Sequence, residues 1–210
     1  MKTTKRILSV FLTLALALTL ALPALAAAPV ITGITPARPV ARTGKNLTLT
    51  VTAQGEGLSY QWYQWIDDDW AIIPGATSGS LTVTATIEEF VPAFEDGVFG
   101  AIAGYFAGFT GLLIGLRKQY RVMVSCGEGE TYREITAVFV PGLLDSCRGF
   151  YQLYEALALN LGPQLMGEDI IDNLIAVMTI CKFFTYPLLW LMGAMLWPFG
   201  SMMYYIQLIF

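Results

Sequence analysis

The chain has 210 residues, with 12 Lys+Arg against 16 Asp+Glu, no histidine, 55% apolar and 13% charged residues. The missing histidine excludes His-based triads, His general bases and His-liganded metals. The acidic balance argues against a nucleic-acid binder, and an apolar share above the roughly 45–50% of ordinary domains excludes intrinsic disorder.

Lys2, Lys5 and Arg6 precede an apolar run from Ile7 to Leu22, then Pro23 and Ala24-Leu25-Ala26. A basic start, an apolar core and an A-x-A site make residues 1–26 a secretory signal peptide, with an uncleaved anchor as the alternative. Its removal leaves nine basic residues against sixteen acidic. The mature net charge near −7 makes the chain as a whole a poor ligand for phosphate backbones or anionic lipid surfaces. The expected location is the bacterial cell surface, reached by the secretory route.

The middle alternates in steps of two. In Asn46 to Ala53, Leu47, Leu49 and Val51 alternate with threonines, as on a strand with one buried face. Ser59 to Trp65 alternates again and is rich in aromatics. Asp67-Asp68-Asp69 marks a loop, Trp70 to Ile73 a short strand, and Gly79 to Thr86 a strand burying Leu81 and Val83. Gln119 to Ser125 and Thr131 to Val140 form a pair around the turn at Gly127 to Glu130. Strands at this spacing suggest a Greek-key sandwich.

The residues Y-Q-W-Y at 60–63, I-P-G-A-T at 73–77 and S-L-T-V at 80–83 resemble bacterial immunoglobulin-like domains of the cell-surface or secreted type. The resemblance covers about residues 29–86 and 119–140. It implies that Trp62 is the core tryptophan of strand C. Tyr120-Arg121-Val122 matches the strand-F Tyr-x-Cys with valine for cysteine, and the strand-B cysteine falls near Leu49. This member thus lacks the inter-sheet disulfide and packs Leu49, Trp62, Leu81, Tyr120 and Val122 as its structural core. Such a resemblance implies a fold rather than an activity.

Between strands E and F stands an apolar helical insertion, residues 87–118. Gly97 to Leu116 carries no charge over twenty residues, long enough to cross a bilayer. Gly100, Gly104 and Gly108 recur every four residues, a stripe suited to close helix–helix packing. A crossing would strand Gln119 to Val140 on the far side of the membrane. The insertion is therefore expected to leave the sandwich pole and pack on other apolar helices, or to form a soluble lid.

Residues 142–210 read as a helical, membrane-associated region. A helix capped near Asp145 or Ser146 is expected to stop at Gly162-Pro163. A second starts near Glu168 and is broken or kinked by Pro187 and Pro198. Phe183 to Phe210 has no charge, and Trp190, Trp197, Tyr204 and Tyr205 are residues that favour interfaces. A spanning helix, a re-entrant hairpin and an in-plane helix are all compatible with this pattern.

Chemistry-bearing groups are sparse. Cys126 and Cys147 are candidates for a disulfide outside the cell, and Cys181 for a free thiol. Asp67 to Asp69 lacks the spacing of a calcium loop. Glu88, Glu89, Glu95 and Asp96 invite a carboxylate-pair reading with no support elsewhere in the chain. Tyr63, Trp65 and Trp70 are candidate ligand-contact aromatics. No catalytic residue, cofactor or metal ligand is expected. The expected fold is an Ig-like Greek-key β-sandwich over 27–141 with helices added. The expected function is an exported, membrane-anchored, non-enzymatic surface protein acting in binding, adhesion or envelope structure, with membrane lipid and a protein or glycan as partners. The alternative is a membrane-active homo-oligomer, a pore or scaffold built from the glycine-striped helix 97–116 and the C-terminal helices.

Overall fold

The computed structural model describes residues 28–92, 94, 97–166 and 168–209, and for 162–185 the course of the backbone alone. The expected signal peptide, Glu95 and Asp96 lie outside these residues, and so does the side chain of Cys181.

Among the described residues eight strands form two sheets. They are β1 (Val30–Thr35), β2 (Val40–Arg42), β3 (Leu47–Gln54), β4 (Ser59–Ile66), β5 (Asp69–Ile72), β6 (Ser80–Val83), β7 (Leu116–Cys126) and β8 (Gly129–Val140). One sheet runs β1-β3-β6 and the other β2-β8-β7-β4-β5. All the pairs are antiparallel except β2 with β8.

The period-two pattern sets the register. Leu47, Leu49 and Val51 turn inward, and Leu49 stands opposite Leu81. On the wet face the Thr48 and Thr82 hydroxyls are 3.1 Å apart, and Thr50 and Ser80 are 3.0 Å apart. Slipping this pairing by one residue would exchange the two faces, so burial itself fixes the register. From the second sheet Trp62, Tyr120, Val122, Val124 and Phe139 fill the interior. Each fully buried aliphatic or aromatic side chain contributes roughly 1.5–3 kcal/mol of transfer free energy.

Three boundaries within the sandwich and its insertion differ from the sequence reading. Strands β1 and β2 precede the first one read from alternation. Pro36 and Pro39 have no N–H to give a ladder, so the chain leaves one sheet between them and enters the other. Asp67 and Asp68 both take positive φ, 51° and 62°, which closes a two-residue hairpin turn. Asp69 is therefore the first residue of β5 rather than loop.

The third concerns the insertion. A short 3₁₀ turn, Ile87–Phe90, leads to helix α1, Val98–Ile114, which has 17 residues rather than the twenty expected. Gly115 ends it at φ 95°, and β7 begins at the next residue. Glycine takes this region without the steric cost that any side chain would meet. Gly115 thus belongs to a turn.

Two further helices follow, α2 (Leu143–Met166) and α3 (Glu168–Ile209). The first does not stop at Gly162-Pro163 as expected. Pro163 lies three residues from the end of α2, where only the bond to the Leu159 carbonyl is lost. Pro187 and Pro198 lie inside α3, which continues through both.

The helices share the sandwich's core. Ile87, Phe90, Leu112, Phe150, Leu153 and Leu189 belong to the same buried cluster as Trp62 and Tyr120. Polar ties add to it. Thr43 donates to the Asp145 carboxylate. Arg42 donates to the Pro141 carbonyl at 3.0 Å and to Ser201 Oγ at 3.3 Å, and its guanidinium lies 4.2 Å from the Tyr204 ring centre. Among the described residues no helix is long and apolar enough to cross a membrane.

Candidate functional site

The outer face of the five-stranded sheet carries the largest concentration of groups with binding chemistry. Because Trp62, Tyr120 and Ile135 point inward, their neighbours Tyr63, Arg121 and Glu134 point outward. Register then aligns Glu134, Arg121, Tyr63 and Ile72 in one row across β8, β7, β4 and β5. Trp65 and Trp70 face each other one step along β4 and β5.

Arg121 organises this row. Its Nη2 donates to Glu134 Oε1 at 2.5 Å. Its guanidinium carbon lies 4.2 Å from the Trp70 ring centre and 4.8 Å from that of Tyr132. Trp65 meets Trp70 edge-on with centroids 5.1 Å apart. The Arg121 Nε is buried without a partner. A cation held between two rings fixes their planes, since each contact is worth about 0.5–2 kcal/mol. The rings are therefore pre-set rather than free to rotate, which lowers the entropy cost of ligand stacking. Tyr132 and Ile72 remain 64% and 61% exposed, so the patch is open to a ligand.

Of the residues singled out earlier, Tyr63, Trp65 and Trp70 lie together on this face. Leu49, Trp62, Leu81, Tyr120 and Val122 lie together in the interior. Trp62 is fully buried and its indole N–H donates to the Ser78 carbonyl at 2.8 Å. Burial pushes the Tyr120 hydroxyl up to about 12, with the Glu89 carboxylate adding to the shift. Sequence reasoning missed Arg121, Tyr132 and Glu134. Alternation alone marks them as outward-facing, but their meeting depends on cross-strand register.

The two candidate cysteines are apart and both are free thiols. Cys126 closes the turn end of the β7–β8 hairpin, whereas Cys147 sits in α2 just beyond the other end of β8. Twelve residues of strand at about 3.3 Å each separate these ends, far beyond the ~7 Å Cα limit of a disulfide. The Cys147 thiol is buried and its pKa is raised by desolvation.

The glycine stripe is covered by the chain itself. Gly104 and Gly108 are buried. A Cβ at Gly104 would stand 3.1 Å from the Phe94 ring, and one at Gly108 would stand 2.5 Å from Leu153 Cδ1. Gly100 is half-buried in the first turn. The opposite side of α1 is apolar and outward, with Phe99 89% and Phe106 60% exposed. Leu188, Leu191, Met195, Phe199, Met202 and Ile206 make a similar exposed stripe on α3 at helical spacing.

The acidic residues do structural work. Glu88 pairs with Arg148 at 2.6 Å and Glu89 pairs with Lys118. Backbone and Thr86 hydrogen bonds hold the Glu88 carboxyl below its usual range. Among the described residues no group of three acidic or cysteine side chains is placed to hold a metal.

No family model matches the chain, and neither does any curated protein. Thirty-one solved chains show similarity. FN3tt, a fibronectin type III domain, is 12% identical, with 55% of this chain and 99% of that one covered, at a TM-score of 0.33. A mutant of FN3tt gives 12% identity, 53% and 97% coverage and a TM-score of 0.31. The four N-terminal Ig domains of Dscam1 isoform 4.44 give 15% identity and a TM-score of 0.31, and this chain spans a quarter of that structure. At these scores the two-sheet architecture rests on its own strand order and register.

Proposed function

We propose that this chain is an exported, non-enzymatic binding protein of the bacterial immunoglobulin-like type, held at a membrane by its apolar helices. Its ligand face is the outer side of the five-stranded sheet. The observation that carries this reading is the Trp65–Trp70–Arg121–Tyr132 cluster, ordered yet exposed. Flat rings present apolar area to the carbon face of a sugar or to a peptide side chain at little entropy cost. Arg121 and Glu134 add donors and acceptors at its centre. Adhesion and envelope structure are both served by such a face.

Export is supported by the basic start and apolar run of residues 1–26. Membrane attachment is supported by the exposed apolar stripes of α1 and α3, which carry no charge. Stripes of this kind suit a helix lying in the interfacial plane.

The test is binding of the purified full chain, in mild detergent, to glycan and peptide arrays. Trp70→Ala and Arg121→Ala should each reduce binding about tenfold or more, as loss of a stacked aromatic or a central arginine does elsewhere. Binding indifferent to both substitutions, or none to either array, overturns the reading.

The pore or scaffold alternative draws on the same exposed stripes. Because Gly104 and Gly108 are covered by Phe94 and Leu153, such an assembly would use the Phe99–Phe106 side of α1. Phe106→Glu would then dissolve crosslinked oligomers.

A further inference from the structure

A second set of polar groups gathers elsewhere on the same sheet. Val40, Arg117, Thr136 and Val138 form its outer surface near β2, since Val138 is the register partner of both Arg117 and Val40. The corner Ala37-Arg38-Pro39 rises on one side and Gln207 of α3 on another. Together they enclose an open hollow of about 300 Å³. A neighbouring hollow of about 310 Å³ shares Ala37, Pro39 and Thr136 and adds Arg133 and Glu134. Arg38 and Arg117 line the first hollow and Arg133 the second.

None of Arg38, Arg117 and Arg133 makes an ion pair among the described residues. The one carboxylate lining the hollows, Glu134, is engaged by Arg121. Arg38 donates to the Leu208 carbonyl at 3.2 Å, which holds its guanidinium at the rim. The net charge of the chain is −4, yet these hollows are locally basic. Over a Debye length of about 8 Å at physiological salt the local groups decide the potential, not the total.

Gln207 closes one wall of the hollow. Its Nε2 donates to the Ile114 carbonyl at 2.8 Å, which ties the end of α3 to the end of α1.

We propose that this hollow binds a phosphate group. Arg117 and Arg38 take the phosphate oxygens, and the Thr136 hydroxyl donates a third bond. Planar guanidinium forks engage the non-bridging oxygens of a phosphate in bidentate geometry. The group comes either from a lipid headgroup or from a soluble phosphate monoester. This inference stands apart from the aromatic face, because Arg121, Trp70 and Tyr132 do not line the hollow.

The experiment titrates the full chain in nonionic detergent with glycerol 1-phosphate, inorganic phosphate and acetate by calorimetry. Glycerol 1-phosphate and inorganic phosphate should both bind more tightly than acetate. Arg117→Ala should weaken glycerol 1-phosphate about tenfold or more, as expected for a charge-assisted contact. Arg148→Ala, away from the hollow, should leave the binding unchanged. Flotation with phosphatidylglycerol/phosphatidylcholine vesicles against pure phosphatidylcholine vesicles identifies the source. A loss of flotation in Arg117→Ala assigns the headgroup, while loss confined to calorimetry assigns the soluble compound. Absence of binding to every phosphate probe, or equal binding by Arg117→Ala and Arg38→Ala, overturns the proposal.

Discussion

Two glycines four residues apart should respond to alanine with opposite signs. Gly111 lies inside the last turn of α1, where its carbonyl accepts the Gly115 N–H at 2.8 Å. A Cβ there meets only Phe90 Cδ1 at 3.5 Å, an ordinary contact. Gly111→Ala should therefore gain the helix propensity difference, about 0.5–1 kcal/mol. Gly115 has φ 95° and ψ 153°, a region that costs a side chain about 1–3 kcal/mol. Its added Cβ would also stand 2.9 Å from Val138 Cγ1 and 3.0 Å from the Phe139 carbonyl, both on the buried strand β8. Overpacking of this kind costs roughly another 1–3 kcal/mol. Gly115→Ala should lose about 3 kcal/mol or more, so the two variants should differ by about 4 kcal/mol. Urea unfolding of the full chain, followed by tryptophan fluorescence, measures both. Equal effects at the two positions would refute the reasoning, because a uniform packing stripe, not a helix end docked on β8, would then describe them.

Further outcomes follow from single groups. Tyr120 is buried with its hydroxyl raised to about 12 from 10.0. The unfolded chain loses that proton first, so stability present below pH 10 should decline between pH 10 and 12, by at most about 2.7 kcal/mol. Tyr120→Phe should flatten that decline relative to the parent in pH-dependent denaturation, and an unchanged slope would sink the assignment. Cys126 is half-exposed and Cys147 buried. Native labelling with a maleimide should modify Cys126 well before Cys147, and non-reducing peptide mapping should find no 126–147 bridge.

Alternation carried much of the sandwich. Leu47, Leu49 and Val51 against three threonines left one face for the core, and Trp62 with Tyr120 occupied matching positions on the other sheet. What alternation could not carry was pairing. Arg121 looks like any outward arginine until register sets Tyr63 and Glu134 on either side and brings Trp70 and Tyr132 over it. Nor does glycine spacing distinguish a contact from a turn. Gly104 and Gly108 pack while Gly115 bends the chain, and only φ separates these roles. Strands β1 and β2 escaped notice because β1 is interrupted by a register shift between Ile31 and Gly33, and β2 has only three residues. The end of α2 was placed too early at Gly162-Pro163, because a proline in the last turn removes a single helix hydrogen bond.

The account turns on whether β4 and β7 pair despite the apolar helix between them in the chain. Gln61 and Met123 are direct partners on the outer face, where Cβ atoms stand about 4.5–5.5 Å apart. With the native cysteines replaced by alanine, Gln61→Cys/Met123→Cys should oxidise to an intramolecular disulfide in nearly every molecule, with the fold kept. Two thiols that stay reduced and react with impermeant reagent from opposite sides of a membrane would contradict it.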